Sequence, residues 1–374
     1  MIKLLHVISD TNIGGAGRYL LTYLGEYDRE NYDVKVVLPV NSKLIKSVED
    51  LGVPVITVDG IADKSFDIHS ISKLKKIFKE ECPDIVHTHA AISARIAARR
   101  AGVKATTYTR HSVFEPAKRL TRGFGKKLNV IVNNLTSNKI IAVAEAAKKN
   151  VTDTGVDPSK IRVVYNGVKP LEVYNPEQKS KVREKLSLPM EEPVIALIAR
   201  VTEVKGQDYF IRSAKILKDK GYKVKFVIAG TGDKEEEFRH LAHKLDVEDT
   251  VVFTGFLTDV TGLMNVMDIQ ANASFGTEAA SLSLMEGMSL GKPAVVSDYG
   301  GNPELITDGL NGFVVPQKDE NAMAKAIMKL LDNKDIYSKV SASAQKIYEE
   351  RFTAKIMTRN MELFYQDILK EVKQ

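Results

Sequence analysis

Short β-branched runs alternate with amphipathic stretches of helical period along nearly the whole chain, the pattern of parallel sheets built from βα units. Strands are expected at 3–9, 33–39, 54–58, 84–89, 106–110, 139–144 and 161–165. The series then stops. Asn166-Gly167-Val168-Lys169-Pro170 leads into a charged, proline-punctuated stretch that has no apolar period before Pro193. A second series follows, with strands expected at 193–199, 223–229, 250–254, 268–273, 293–297 and 312–315, then helices through about Glu349. Residues 353–372 carry Ile356, Met361, Leu363, Phe364, Ile368 and Leu369 at the spacing of an amphipathic helix. The expected organisation is α/β throughout: a first domain over 1–170, a linker over 171–192, a second domain over 193–352 and a terminal helix in 353–374.

At 374 residues each half can bury its own core. A hydrophobic fraction of 44% with 27% charged residues fits a globular chain. Cys82 is the single cysteine, which excludes an intramolecular disulfide and fits a reducing compartment. The start, Met1 to Ile8, is too short for a signal-peptide core and reads as a first strand. No apolar run approaches the roughly 18 to 20 residues of a membrane span, so the expected location is cytoplasmic, at most peripheral on the cytoplasmic face of a membrane. The net charge of +6 is uneven: residues 1–170 hold 27 basic and 17 acidic side chains. Nucleic acid is a poor partner for this basic half, because there is no Trp, no aromatic interleaving and no recognition-helix or zinc motif. An anionic membrane surface or a phosphate-bearing acceptor suits the charge better.

The densest motif runs from Phe275 to Met288, followed by Gly291-Lys292-Pro293 and Gly300-Gly301-Asn302-Pro303-Glu304. After the strand at 268–273, Ser281 is a plausible N-cap for a helix through Leu284, Met285 and Met288. Glu278 then lies in the loop and Glu286 on the second helical turn, roughly 7 Å further along. A diphosphate fits between them on the helix N-terminal amides, and the two carboxylates can each accept from sugar hydroxyls. That combination describes a nucleotide-diphosphate sugar.

The spacing Glu, seven residues, Glu, with Gly-Lys-Pro and Gly-Gly-x-x-Glu after it, resembles the donor signature of the retaining glycosyltransferases of family 4, which have the GT-B fold. The resemblance implies two Rossmann-like domains facing across a cleft, with the terminal helix crossing back to the first. It assigns Glu278 to the transferred sugar and Glu286 to the nucleotide ribose. Ala279-Ala280-Ser281-Leu282 departs from the family's usual Gly-aromatic-Gly/Pro-Leu, although the small Ala280 and Ser281 with Leu282 still leave backbone amides within reach of the donor. Arg200 and Lys205, after the first strand of the second domain, match the family's pair of cations on the leaving diphosphate. Alone, such residues are commonly surface charges. Gly230 and Gly232 in a tight turn are expected beside the nucleotide, and Phe256-Leu257 in a base-contacting loop.

In the first domain, Asn12-Ile13-Gly14-Gly15-Ala16-Gly17 lacks the third glycine of a dinucleotide motif, and no acid clearly follows the second strand in the usual place. The family instead brings Gly14 and Gly15 to the donor diphosphate. His111 matches a family histidine near the reacting sugar. His89 ends the neighbouring strand as a candidate acceptor contact, while His87 reads as structural. The segment 116–132 mixes Lys118, Arg119, Arg122, Lys126 and Lys127 with Leu120, Phe124, Leu128 and Ile131. It suits either an anionic interface or a core helix with a solvated basic face.

No Asp-x-Asp pair or cysteine cluster suggests metal ligation, and no cofactor is expected beyond the donor itself. By resemblance the chain moves a hexose or N-acetylhexosamine, with retention, from a UDP-sugar to a saccharide or lipid-linked acceptor, a GDP-sugar being the alternative. A catalytically silent scaffold of the same fold is one rival. A sugar-nucleotide epimerase is another, and a phosphorylase is disfavoured because no pyridoxal-lysine setting is evident.

Overall fold

The computed structural model describes residues 1–89 and 91–372 and divides into two compact units, Met1–Gly167 with Ala354–Gln374, and Val168–Thr353. The last two residues of the expected terminal segment 353–374 lie outside the described residues.

The first unit is built on seven parallel strands: β1 Ile2–Ile8, β2 Tyr32–Pro39, β3 Val55–Val58, β4 Ile85–His89, β5 Ala105–Arg110, β6 Lys139–Ala142 and β7 Ile161–Val163. Their order is β3-β2-β1-β4-β5-β6-β7. Strand order therefore reverses between β1 and β4, and ligands of such sheets bind outside the carboxyl ends of the strands at that point. The Asn12–Gly17 turn leaves β1 there and His89 ends β4. In register, His6 on β1 pairs His87 on β4, and Ile8 pairs His89. On one face, Leu5, Val7, Val37, Phe78 and Val86 join the helix Ile92–Ala101 through Ala94, Ala97 and Ala98 in a common core. Small alanines let that helix lie close to the sheet.

The second unit repeats the design with six parallel strands: β8 Val194–Ile198, β9 Lys225–Ala229, β10 Val251–Gly255, β11 Ile269–Asn272, β12 Ala294–Ser297 and β13 Gly312–Val315, in the order β10-β9-β8-β11-β12-β13. Its reversal falls between β8 and β11. Alternate residues of β8 feed different cores, Ile195 and Leu197 one and Val194 and Ala196 the other. This is why the strand reads as an unbroken apolar run, as strands covered on both faces do.

All thirteen strands lie where the sequence pattern expects them, within two residues at each end. The stretch 171–192 does not act as a linker. It belongs to the second unit and contains a helix, Pro176–Lys185. That helix buries no residue fully, so it shows no apolar period. A capping box between Asn175 and Gln178 holds its start, and Arg183 donates to the carbonyl of Glu192 at 2.9 Å. Asn265 secures the approach, accepting from the Tyr174 amide at 2.8 Å and donating to the Glu172 carbonyl at 2.9 Å.

The terminal helix, Ala354–Glu371, returns to the first unit. Met357, Met361, Phe364, Tyr365 and Ile368 form its buried stripe. Tyr19 donates to Met361 Sδ at 3.1 Å, the Asp28 amide donates to Glu362 at 2.9 Å, and Arg162 pairs with Asp367 at 2.7 Å. The helix is thus an integral part of the first core.

Candidate functional site

In the second unit the chain leaves β8 through Arg200 and reaches Lys205 at the end of a short 3-10 turn, Glu203–Lys205. Gly206 follows with φ +71°, and a Cβ there would lie 2.2 Å from the carbonyl oxygen of Ala273. Only glycine lets the two strand ends cross so closely. That crossing delivers Lys205 to the loop after β11. Its Nζ donates to the Thr277 carbonyl at 2.6 Å and to Glu278 Oε2 at 2.9 Å, and its third N–H has no acceptor among the described residues. Glu278 Oε2 also accepts from Asn272 Nδ2 and Ser274 Oγ, both at 3.2 Å. Three donors on one oxygen hold the carboxylate in place, and Oε1 has no partner among the described residues. Lys205 and Glu278 keep only 18% and 11% of their side-chain exposure, so their pairing is screened far less than a surface ion pair. Arg200, by contrast, is exposed and its guanidinium has no partner among the described residues. Its carbonyl is held by Gln207 Nε2 at 2.9 Å.

Ser281 caps the helix Leu282–Ser289, its hydroxyl accepting from the Leu284 amide at 3.4 Å. The amides of Leu282 and Ser283 have no acceptor among the described residues, so the positive end of the helix is available to an anion beside Glu278. Ala280 and Ser281 are buried against the protein. Glu286, on the second turn, is only 4% exposed. The motif's other parts are structural. Gly287 lets the helix settle on Gln270, Gly291 takes φ +65° after the helix ends, and a Cβ on Gly300 would strike the Glu278 carbonyl. The Lys292 amine, pushed down to about 8 by burial, donates to the Asn265 carbonyl.

At Gly230 and Gly232 the crowding comes from the protein's own backbone. A Cβ on Gly230 would lie 2.0 Å from the Ala199 carbonyl oxygen, and one on Gly232 1.9 Å from that of Val201. These glycines therefore admit the chain leaving β8. Beyond β10, Phe256 is 72% exposed and Leu257 half-buried.

In the first unit Gly14 and Gly15 open the helix Gly15–Leu24, and a Cβ on either would meet nothing within 4 Å. Neither glycine is demanded by internal packing. His89 Nδ1 lies 2.8 Å from His111 Nε2, and His89 Nε2 lies 3.2 Å from His6 Nδ1. His87 is bonded through both nitrogens, to Tyr365 OH at 2.6 Å and Thr109 Oγ1 at 2.7 Å. Burial pushes His6 and His111 down to about 3 and His87 and His89 well below the ordinary value, so all four imidazoles are neutral at physiological pH.

Two family models together span both units: one described as Glycosyltransferase Family 4 matches residues 13–170, and one described as Glycosyl transferases group 1 matches residues 178–347. The chain belongs to glycosyltransferase family 4. It is 28% identical over 347 residues, 89% of each chain, to the UDP-Gal:alpha-D-GlcNAc-diphosphoundecaprenol alpha-1,3-galactosyltransferase of Escherichia coli. It is 24% identical, over 92% of each chain, to the capsular polysaccharide biosynthesis glycosyltransferase CapM of Staphylococcus aureus. Among solved structures, Anabaena HepE in complex with UDP-glucose superposes with a TM-score of 0.86 at 22% identity, covering 98% of this chain and 100% of that one. The GT-B fold of this family 4 glycosyltransferase is thereby shared with solved relatives.

Within this glycosyltransferase, sequence reasoning missed the partners of the singled-out residues. Asn272 and Ser274 were readable as polar residues ending an apolar strand. His6 gave no signal, because positions 6, 87 and 89 have no ligand-like spacing. Yet His6, His87 and His89 each bring one ring nitrogen to within 4.8 Å of the others, a set able to hold a metal ion.

Proposed function

We propose that this glycosyltransferase moves a hexose or N-acetylhexosamine from a UDP-sugar, with retention and without a metal, to a saccharide or lipid-linked acceptor in the synthesis of a surface polysaccharide or glycolipid. The observation that carries this reading is the Lys205–Glu278 pair beside the open end of the helix Leu282–Ser289. The helix amides, the spare N–H of Lys205 and the guanidinium of Arg200 bind the diphosphate, and they bind it best as its charge grows on bond cleavage. Glu278 Oε1 accepts from a hydroxyl of the transferred sugar, Glu286 from the ribose, and Phe256 stacks on the base. In the first unit taken by itself, the Gly14-Gly15 turn has backbone amides suited to phosphate oxygens, and His111 is read as a hydrogen-bonding contact for a ligand hydroxyl or phosphate. The acceptor hydroxyl attacks the anomeric carbon on the face from which the diphosphate departs, and its proton passes to the leaving phosphate oxygen. The protein contributes orientation and charge. The choice of donor is supported by the names of the relatives, since the E. coli enzyme is a UDP-galactose transferase and HepE binds UDP-glucose.

A thermal-shift comparison of nucleoside diphosphates tests the donor. UDP is expected to raise the melting temperature and GDP to leave it unchanged, because binding to the folded state alone stabilises by mass action. The reverse ranking would displace UDP. Donor hydrolysis should continue in excess EDTA, and its abolition with recovery on adding manganese would refute metal-free transfer.

The same proposal places the first unit at an anionic membrane. The helix Gly123–Thr136 turns Asn133 and Thr136 inward, where Arg95 and Tyr108 both bond Asn133 Oδ1. Its largest apolar residues point out, with Phe124 79%, Leu128 48%, Ile131 52% and Leu135 64% exposed, while Val130 and Val132 are half-buried. This is the opposite of a core helix with a solvated basic face. Lys118, Arg119, Arg122, Lys126 and Lys127 have no carboxylate partner among the described residues, and each contributes about 1 kcal/mol near an anionic surface. Sedimentation with phosphatidylglycerol vesicles is expected at low salt and release as salt rises. A variant with all five cations neutralised should stay in the supernatant, and equal binding by that variant would end the idea.

A further inference from the structure

We propose that His6 and His89 are positioning residues that fix the tautomer of His111, so that His111 Nδ1 carries the proton and stands as a donor toward a ligand oxygen. The inference rests on the reading of His111 as a ligand contact and names how that contact is polarised.

A neutral imidazole has one N–H and one bare nitrogen. The two links, His6 Nδ1 to His89 Nε2 and His89 Nδ1 to His111 Nε2, each consume one proton, and His89 supplies only one. The protons must therefore run the same way along the chain of rings. If they run inward, from His111 Nε2–H through His89 Nε2–H, then His6 accepts at Nδ1 and carries its proton on Nε2. If they run outward, from His6 Nδ1–H through His89 Nδ1–H, then His6 Nε2 is bare and His111 Nε2 accepts. His111 is then left with its proton on Nδ1.

Packing around His6 selects between them. His6 is fully buried, and its Nε2 has no hydrogen-bond partner among the described residues. The adjacent ring, Tyr23 at 5.2 Å between centroids, carries a buried hydroxyl that also lacks one among the described residues. Inward-running protons leave two buried donors on neighbouring rings, His6 Nε2–H and Tyr23 O–H, with no acceptor for either. Outward-running protons leave a single donor, and the bare Nε2 is an acceptor on the ring next to it. Both arrangements leave two unpartnered atoms, but only the outward one sets a donor beside an acceptor, a pair that a small shift of the Tyr23 ring closes, and one net hydrogen bond biases the equilibrium by roughly five-fold. Tyr19 packs edge-on against His111 at 4.9 Å, holding the ring while Nδ1 keeps no partner among the described residues.

Nitrogen-15 spectra of histidine-labelled protein read this directly, with His111 assigned by its loss in His111→Gln. In the unmodified protein His111 is expected as the Nδ1–H form. His6→Phe removes the first donor, and His111 should become a mixture of both forms. His6→Asn, whose amide nitrogen takes the place of Nδ1, should restore the Nδ1–H form. Turnover should follow, falling about five-fold or more in His6→Phe and recovering in His6→Asn, with KM little changed. A His111 Nε2–H form in the unmodified protein would overturn the proposal even if His6→Phe fails to fold. So would one zinc per chain by elemental analysis, since the ring nitrogens would then be ligands. A tautomer that shifts as expected while turnover stays constant would leave the chain of rings standing and remove His111 from the reaction.

Discussion

Lys205→Ala is expected to lower turnover by about 100-fold or more, the usual loss when a fixed charge facing developing negative charge is removed. Its effect should fall on kcat more than on donor affinity, because the interaction strengthens as the diphosphate leaves. The structure adds a second consequence. Lys205 also holds Glu278 Oε2 at 2.9 Å, so its loss frees the carboxylate proposed to meet the sugar. Glu278→Gln should therefore be costly, and the double variant should be little worse than the poorer single one, since residues in contact do not act additively. The Arg200 guanidinium has no hydrogen-bond or ion-pair partner among the described residues, so Arg200→Ala should lose only its own contribution and add to either change. Steady-state kinetics of the four variants decide the matter. Strict additivity of Lys205→Ala with Glu278→Gln would show that the ion pair is not one working unit.

The second large effect concerns stability. Tyr365 is fully buried, packs on Tyr23, Tyr32 and His87, and bonds His87 Nδ1 at 2.6 Å. Truncation to alanine should cost about 3–5 kcal/mol, the range for large aromatic deletions in a core. Against a typical domain stability of about 5–15 kcal/mol, that loss threatens the first unit. Tyr365→Phe keeps the packing and strands His87 Nδ1, for about 1–3 kcal/mol. Urea unfolding followed by circular dichroism should rank native above Tyr365→Phe above Tyr365→Ala. An unchanged midpoint for the alanine variant would mean that the terminal helix is not part of the cooperative core.

Much of the candidate donor site follows from local rules. Ser281 caps its helix because a hydroxyl after an apolar strand satisfies an orphan amide, and Glu286 falls on the second turn by counting residues. Pattern failed where stability comes from directed polar contacts. The helix Pro176–Lys185 has a capping box and the carbonyl contacts of Arg183 in place of an apolar stripe, so 171–192 reads as a linker. The helix Gly123–Thr136 is amphipathic by sequence, but which face turns inward is settled by Arg95 and Tyr108 reaching Asn133 from other elements.

By itself the sequence determined the alternation of strands and helices in both halves, because period and β-branching act within a few residues, and it determined the motif that marks the family. Tertiary structure alone decided the partners. Lys205 meets Glu278 because Gly206 lets two distant strand ends cross. His6, His89 and His111 come into line because parallel pairing places β1 beside β4 and β4 beside β5, a juxtaposition that depends on strand order across the sheet and leaves no mark on local spacing.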